Sequence, residues 1–460
     1  MQDRKVRIRP LLAATLIAVI VPIFTEPAGI RLSPSRAMFL VLVPLLTVRL
    51  LMGRYGRVRL VDGLVFLHVV WLAMAIAANN PDAFVTFVGS NAIILLGGYL
   101  VGRATIRDAA DMRGLAWMLG LLVLASLPFA FYETRSARMV IPPLIDRIPG
   151  FFSNHNIGYD RRLGFDRVQF VFAHPIHYGL WCSLAFGLVL AGLRDVIGRT
   201  RRLLWAGAIG FATFLSLSSG PFLAMIVQIF LAGYGFATRR VAHSWRMFMI
   251  GFAAFYAIAE VLSDRPAYLA IVSRLTFSTH TTYLRQTLLE FGIRQIERTP
   301  LLGVGYNTWE LPHYMTGSLD NYWLMTAIVY GLPAFLALFG AYLLILIRAG
   351  RRDFAVGTPL WGLRFGYLIT MIGLGLSLAT VAIWSEMATM VFLMLGAGVW
   401  FAEAKEAAPE AGPPKAEPPT RARRYSRFGP APAQAPRRGA EGIRYARSGP
   451  SAPLPPEPAE

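Results

Sequence analysis

VDGLVFLHVVWLAMAIAAN, residues 61–79, is followed almost at once by DAFVTFVGSNAIILLGGYLV, residues 82–101. At 1.5 Å per residue, a run of about 20 apolar residues covers the roughly 30 Å hydrocarbon core of a bilayer. The turn between the runs, Asn79-Asn80-Pro81-Asp82, holds no basic residue. The pair reads as two antiparallel membrane spans. Similar runs recur almost from end to end of the 460 residues, and the bulk numbers agree: 55% hydrophobic, 15% charged, mean hydropathy +0.50. A soluble chain needs about a quarter charged residues to cover its surface. Soluble globular enzyme, fibrous protein and secreted disulfide scaffold are excluded. The single cysteine, Cys182, forms no internal bridge, and no Cys/His cluster suggests a metal.

The spacing predicts about twelve spans, near 10–26, 37–53, 61–79, 82–101, 114–132, 168–192, 203–218, 220–238, 246–263, 321–347, 360–382 and 386–402. Ser218-Ser219-Gly220-Pro221 separates the seventh from the eighth. The tenth is long enough that it must tilt, kink near Gly331-Leu332-Pro333, or begin outside the bilayer. The formal net charge of +19 could suggest nucleic acid, but the basic residues sit between the apolar runs, where topology demands them. No nucleic-acid partner is expected. Arg4, Lys5, Arg7 and Arg9, then Arg54, Arg57 and Arg59, then Arg103, Arg107 and Arg113 begin one set of connections. Arg194 to Arg202, Arg239 to Arg246 and Arg348 to Arg352 continue it. The short connections on the other side, Asn79–Asp82, Ser218–Pro221 and Trp384–Ser385, hold none. The rule places both termini in the cytoplasm and the long loops 133–167 and 264–319 outside. Residues 403–460, rich in Pro, Ala and Arg, cannot build a core and read as a disordered tail.

With that topology, the ionisable residues of the spans gather in one layer at the outer face: His174 and His177, three apart at the start of span six; Asp320 and Asn321 at the start of span ten; Glu260; and Glu386. His68 lies deeper. Such residues are costly in a membrane and mark function. One layer suits one outward-facing site better than a conduction pathway. In the second long loop, Thr281–Thr299 reads as an amphipathic helix ended by Pro300. Arg285 stands on its apolar face among Leu289, Ile293 and Ile296, so it needs an anionic partner: an internal carboxylate or a ligand phosphate. Pro300-Leu301-Leu302-Gly303-Val304-Gly305-Tyr306-Asn307 then turns back toward the membrane.

Arg162-Leu163-Gly164-Phe165 followed by Phe172-Ala173-His174-Pro175-Ile176-His177-Tyr178-Gly179, a helix led by Arg285 into Pro300–Gly305, and Asp320-Asn321-Tyr322-Trp323-Leu324 with Gly331-Leu332 together resemble the O-antigen ligase and polysaccharide polymerase superfamily of bacterial membrane glycosyltransferases. The likeness covers about 160–345 in detail. Two departures stand out. Many members carry Ser-Arg-Gly where this chain has Ser218-Ser219-Gly220, and the ligases' His is Asp320 here, which is closer to the polymerase branch.

The resemblance implies an all-α, polytopic transmembrane helix bundle of about twelve spans with a helical periplasmic loop domain, in the bacterial inner membrane. It implies a glycan donor on undecaprenyl pyrophosphate, attacked by a sugar hydroxyl. Membrane lipids and other polysaccharide assembly and export proteins are the expected partners. Arginines would bind the pyrophosphate, Arg285 first, then Arg162 and Arg167, with Asn321 and Asn307 beside them. A base would take the hydroxyl proton: Asp320 first, His174 or His177 as alternatives. No cofactor and no metal are called for. Polymerising repeats, ligating glycan to lipid A core, and moving the lipid-linked sugar without chemistry all remain open.

Overall fold

The computed structural model describes residues 5–27, 31–153, 159, 161–241, 243–262, 279–312 and 319–404, with the backbone alone at 259, 262 and 279–286. Arg285 is therefore placed on a helix, but its side chain lies outside the described residues, as do His313 and the tail beyond Ala404.

Every regular element among the described residues is helical. In chain order these are α1 (Pro10–Ile20), α2 (Pro34–Leu51), α3 (Leu60–Asn79), α4 (Phe84–Thr105), α5 (Ala109–Ser136), α6 (Ile141–Ile145), α7 (Pro175–Gly187), α8 (Arg199–Leu215) and α9 (Ser219–Ala237). Then come α10 (Ser244–Leu262), α11 (Thr279–Arg298), α12 (Tyr322–Tyr330), α13 (Leu332–Gly350), α14 (Pro359–Leu378) and α15 (Ser385–Gly398).

Among the described residues, 9 helices are long and apolar enough to cross a membrane: α2 to α5, α7, α9 and α13 to α15, some with their 3-10 or π extensions. The other three expected spans are shorter or more polar. α1 has 11 residues, because Val21 turns extended before Pro22. α8 opens on Arg199, Arg201 and Arg202, and the apolar part of α10 is Ser244–Ile258. The long tenth run is broken: Gly331, at φ 87°, separates α12 from α13. The sixth expected span, α7, begins at Pro175 rather than 168, because Phe170 adopts φ 57°.

The core is held by close helix approach. Gly98 and Gly102, one turn apart on α4, face α15; a Cβ on either would strike the backbone at Thr389 or Leu393. Such small-residue spacing lets membrane helices touch backbone to backbone. Mid-depth polar side chains are spent on structure. The His68 Nδ1 lies 2.9 Å from the Ala334 carbonyl, tying α3 to α13. After α7 loosens into a π turn at Leu188–Gly192, Gln228 accepts from the Gly187 amide at 3.0 Å and donates to the Ser183 carbonyl at 3.0 Å.

The bundle has two chemically different ends. At the basic end, Asp62, Asp108, Asp111, Asp195 and Glu403 pair with arginines: Arg9 to Asp111 at 2.7 Å, Arg59 to Glu403 at 2.8 Å, and Arg113 to Asp195 at 2.6 Å. Arg103 and Asp62 form a buried pair at 3.3 Å, with Tyr99 donating to Asp62 at 2.6 Å. The opposite end carries the α3–α4 turn, residues 137–153 and 161–174, the α8–α9 turn, residues 299–312 and 319–321, and the α14–α15 connection. The candidate site is at this loop end.

Candidate functional site

Four helix starts meet around the α14–α15 connection, residues 379–384. The amide of Tyr322, first residue of α12, donates to the Val381 carbonyl at 3.0 Å. Gly220, in the first turn of α9, lies so close to Val381 that a Cβ there would collide with its side chain. Trp384, just before α15, stands edge-on to His177 of α7, ring centroids 4.0 Å apart, and 6.1 Å from His174. The structure thus brings His174, His177 and the Asp320–Asn321 pair to flanking positions on one connection.

His174 is the N-cap of α7, outside the helix, so the two histidines do not share a helical face as the spacing suggested; their rings are still 6.4 Å apart. Its Nδ1 accepts the Ile176 amide proton at 3.0 Å. In the neutral ring this leaves the hydrogen on Nε2, which can donate but not accept. Burial, reinforced by Arg167 and Arg162, pushes the His174 pKa down from 6.5 to about 4. A neutral ring with its basic nitrogen occupied suits a fixed donor better than a base. His177 is fully buried; neither ring nitrogen makes a hydrogen bond of normal geometry, and the Ala382 backbone lies beside it.

Arg162 and Phe165 close a tight turn by mutual backbone hydrogen bonds of 3.1 and 3.0 Å, with Leu163 and Gly164 at positive φ. From it the Arg162 guanidinium reaches the Leu217 carbonyl at 2.9 Å. Arg167 donates to the Ser218 hydroxyl at 2.8 Å and lies over the Tyr159 ring, which stands edge-on to His174 with centroids 4.6 Å apart. Arg162, Arg167 and His174 therefore form one cluster with the α8–α9 turn.

Asp320 is exposed. Next to it, the Asn321 side chain caps α12 by accepting the Leu324 amide at 3.0 Å, so its oxygen is engaged in structure. Asn307 is likewise engaged: it accepts from Asn80 at 3.0 Å, while Asn80 accepts the Tyr306 amide at 2.8 Å. The Pro300–Asn307 turn is thus latched onto the α3–α4 turn, away from the histidine cluster in its contacts. The latch carries α11, whose Leu288 is buried with Leu324 and Ile328 of α12. Ile293, expected on the apolar face, is 46% exposed.

One residue that sequence reasoning missed is Glu133, only 5% exposed near the end of α5. Its two carboxyl oxygens accept the amides of Gln169 and Phe170 at 2.9 and 3.0 Å. These are the residues where the chain makes its positive-φ bend toward His174. An acid within an apolar run was the available signal.

No family model matches the chain, and no curated protein matches it.

Proposed function

We propose that the chain is a membrane glycosyltransferase of about twelve spans that polymerises undecaprenyl-pyrophosphate-linked oligosaccharide repeats at the periplasmic face of a bacterial inner membrane. The observation that carries this reading is the convergence of Arg162, Arg167, His174, His177 and Asp320–Asn321 on one end of the bundle, around residues 379–384. The family resemblance supplies the substrate class. Arg167 brings a guanidinium to Ser218, beside Ser219, where the resembled family carries an arginine.

In the proposed reaction the acceptor hydroxyl oxygen bonds to the anomeric carbon, and the carbon–oxygen bond to the pyrophosphate breaks. Asp320 takes the hydroxyl proton. Arg285, Arg162 and Arg167 hold the departing lipid pyrophosphate, which leaves as an anion and needs no strong acid. His174, fixed and neutral, donates from Nε2 to a substrate oxygen. The activated bond supplies the energy, so neither metal nor nucleotide is called for. The transporter reading is disfavoured because the mid-depth polar residues His68 and Gln228 are committed to helix packing.

Purified protein in vesicles with a lipid-linked donor tests the proposal. Asp320→Asn keeps shape and polarity but removes the base, so turnover should fall about 10²–10⁴-fold with donor binding kept. Arg285→Ala should weaken donor binding itself. Wild-type turnover in Asp320→Asn would remove Asp320 from the mechanism. Product length separates the alternatives in cells. Loss of a polymerase leaves single lipid-linked repeats, loss of a ligase leaves polymer on the carrier, and loss of a flippase traps repeats inside.

A further inference from the structure

At the loop end the last turns of α5 and α8 stand apart and leave a cleft of about 290 Å³, roofed by the Arg162–Phe165 turn. Its walls include Phe131, Phe165, Phe211, Phe214 and Leu217, with Arg135 as the one charged residue. The mouth opens out of the bundle: Phe131, Phe165 and Phe211 are 57%, 43% and 47% exposed. We infer that this cleft seats the first isoprene units of a polyprenyl pyrophosphate, with Arg135 binding the phosphate to which they are joined. The inference rests on the functional reading above and adds a lipid-tail site and a phosphate ligand to it.

Charge complementarity selects this occupant. Among the described residues the exposed Arg135 side chain makes no hydrogen bond or ion pair, and the acids nearest in sequence are committed elsewhere. Glu133 lies two residues away on α5, so it faces another side of the helix, and both its oxygens hold backbone amides. Asp166 is held by Arg161 at 2.8 Å. Among the described residues, the neighbouring Arg162 guanidinium is met by one carbonyl, that of Leu217 in the cleft wall. An anion at the mouth would therefore meet guanidinium groups without first displacing an acid from Arg135. A basic side chain in the last turn of α5 also complements the helix dipole, but that effect is only about 0.3–1 kcal/mol at an exposed site and calls for no aromatic cleft. The volume sits at the lower edge of small-ligand pockets, roughly 300–1,000 Å³. It fits the head of a long isoprenoid and leaves the remainder in the bilayer. The cleft adjoins the arginine and histidine cluster: its wall residue Leu217 accepts from Arg162, and Ser216 and Ser218 on either side accept from Arg167. A tail lying here would deliver its pyrophosphate to that cluster.

The test is lipid binding to the full chain in phosphatidylcholine vesicles. Three probes are used separately: undecaprenyl pyrophosphate, phosphatidylglycerol and inorganic pyrophosphate. Arg135→Gln should weaken undecaprenyl pyrophosphate about tenfold or more, the loss of one charge-assisted contact, and leave phosphatidylglycerol unchanged. Phe211→Ser, at an exposed wall position, should weaken undecaprenyl pyrophosphate but not inorganic pyrophosphate. Equal weakening of both lipids by Arg135→Gln would make the cleft an ordinary anionic-lipid site and overturn the inference. Wild-type affinity of both variants for undecaprenyl pyrophosphate would overturn the cleft while leaving the glycosyltransferase reading intact. Failure of the unaltered protein to bind undecaprenyl pyrophosphate would overturn both.

Discussion

Glu133→Gln tests what aims the chain at His174. Residues 166–174 have no regular structure, and Phe170 holds a positive φ that a bulky side chain disfavours. The Glu133 oxygens receive the two amides exposed by that bend, at 2.9 and 3.0 Å, in a site only 5% exposed. A glutamine keeps the length and one acceptor, but its NH₂ then faces a backbone N–H. One buried donor is left without an acceptor, a cost of about 1–3 kcal/mol. That corresponds to about 5- to 150-fold in the local opening equilibrium. Hydrogen exchange on peptides covering Gln169 and Phe170, in detergent or nanodiscs, reads this ratio directly. The increase should be confined to the stretch before α7, because Thr134 separately holds the Asp166 carbonyl at 2.8 Å. Catalytic turnover should fall with it, since His174 caps α7 from the end of this stretch. Unchanged exchange in Glu133→Gln would refute the reasoning and place the hold on the bend elsewhere.

Two further predictions concern the same end of the molecule. The His174 pKa is depressed to about 4 from 6.5, so between those values the unfolded chain binds more protons than the folded one; stability is complete above about pH 6.5 and declines as pH falls toward 4. Melting temperatures from neutral to acid pH should show that decline, and His174→Asn, which retains a capping side chain, should flatten it; an unaltered slope assigns the decline to other groups. Gly331→Ala should cost more than about 3 kcal/mol, because φ 87° is strained for alanine and its Cβ would strike the Leu301 backbone. Gly53→Ala, at φ 74° with open space around it, should cost only about 1 kcal/mol; equal losses of melting temperature would show that the Leu301 contact does not matter.

The parts of this fold legible in the sequence are those that depend on local chemistry. Apolar length reveals α2 to α5 and α13 to α15. The Gly331-Leu332-Pro333 break follows from a residue that tolerates positive φ beside one that cannot continue a helix. Ser218–Pro221 reads as a turn, and the chain does turn there, at 216–218, but Ser219, Gly220 and Pro221 already form the first turn of α9. Less local features were hidden. Apolar Val168, Phe170, Val171 and Phe172 extend the sixth run seven residues ahead of the helix, but the chain there is held by Glu133 at Gln169 and Phe170 and by Leu215 at Val168, and never enters the helix. Asn321 and Asn307 read as ligand-binding polar residues in the sequence, but each side-chain oxygen is occupied, one by a helix cap and one by a latch to Asn80. The meeting of α7, α9, α12 and α15 around residues 379–384 joins segments some 200 residues apart, and no spacing rule reports it.

The arginines themselves give the last step. A bias of Arg toward one side of a membrane chain follows from insertion alone and needs no ligand. Insertion does not, however, determine what those arginines touch once folded. At the basic end, Arg7, Arg9, Arg59, Arg103 and Arg113 each meet a carboxylate, so the charges selected for topology also serve as packing. At the loop end, where the bias disfavours arginine, Arg162 reaches a carbonyl, Arg167 a hydroxyl and a carbonyl, and Arg135 lies in an aromatic cleft. Arg161 and Arg298 at this end also meet carboxylates, Asp166 and Glu310, so among the described residues it is Arg135 and Arg162 that are poised for an anion from outside the chain. Removing a carboxylate-paired arginine at the basic end should therefore cost stability first, whereas removing Arg135 or Arg162 should cost binding first. That division is what would separate a ligand-binding site from a ring of interfacial side chains.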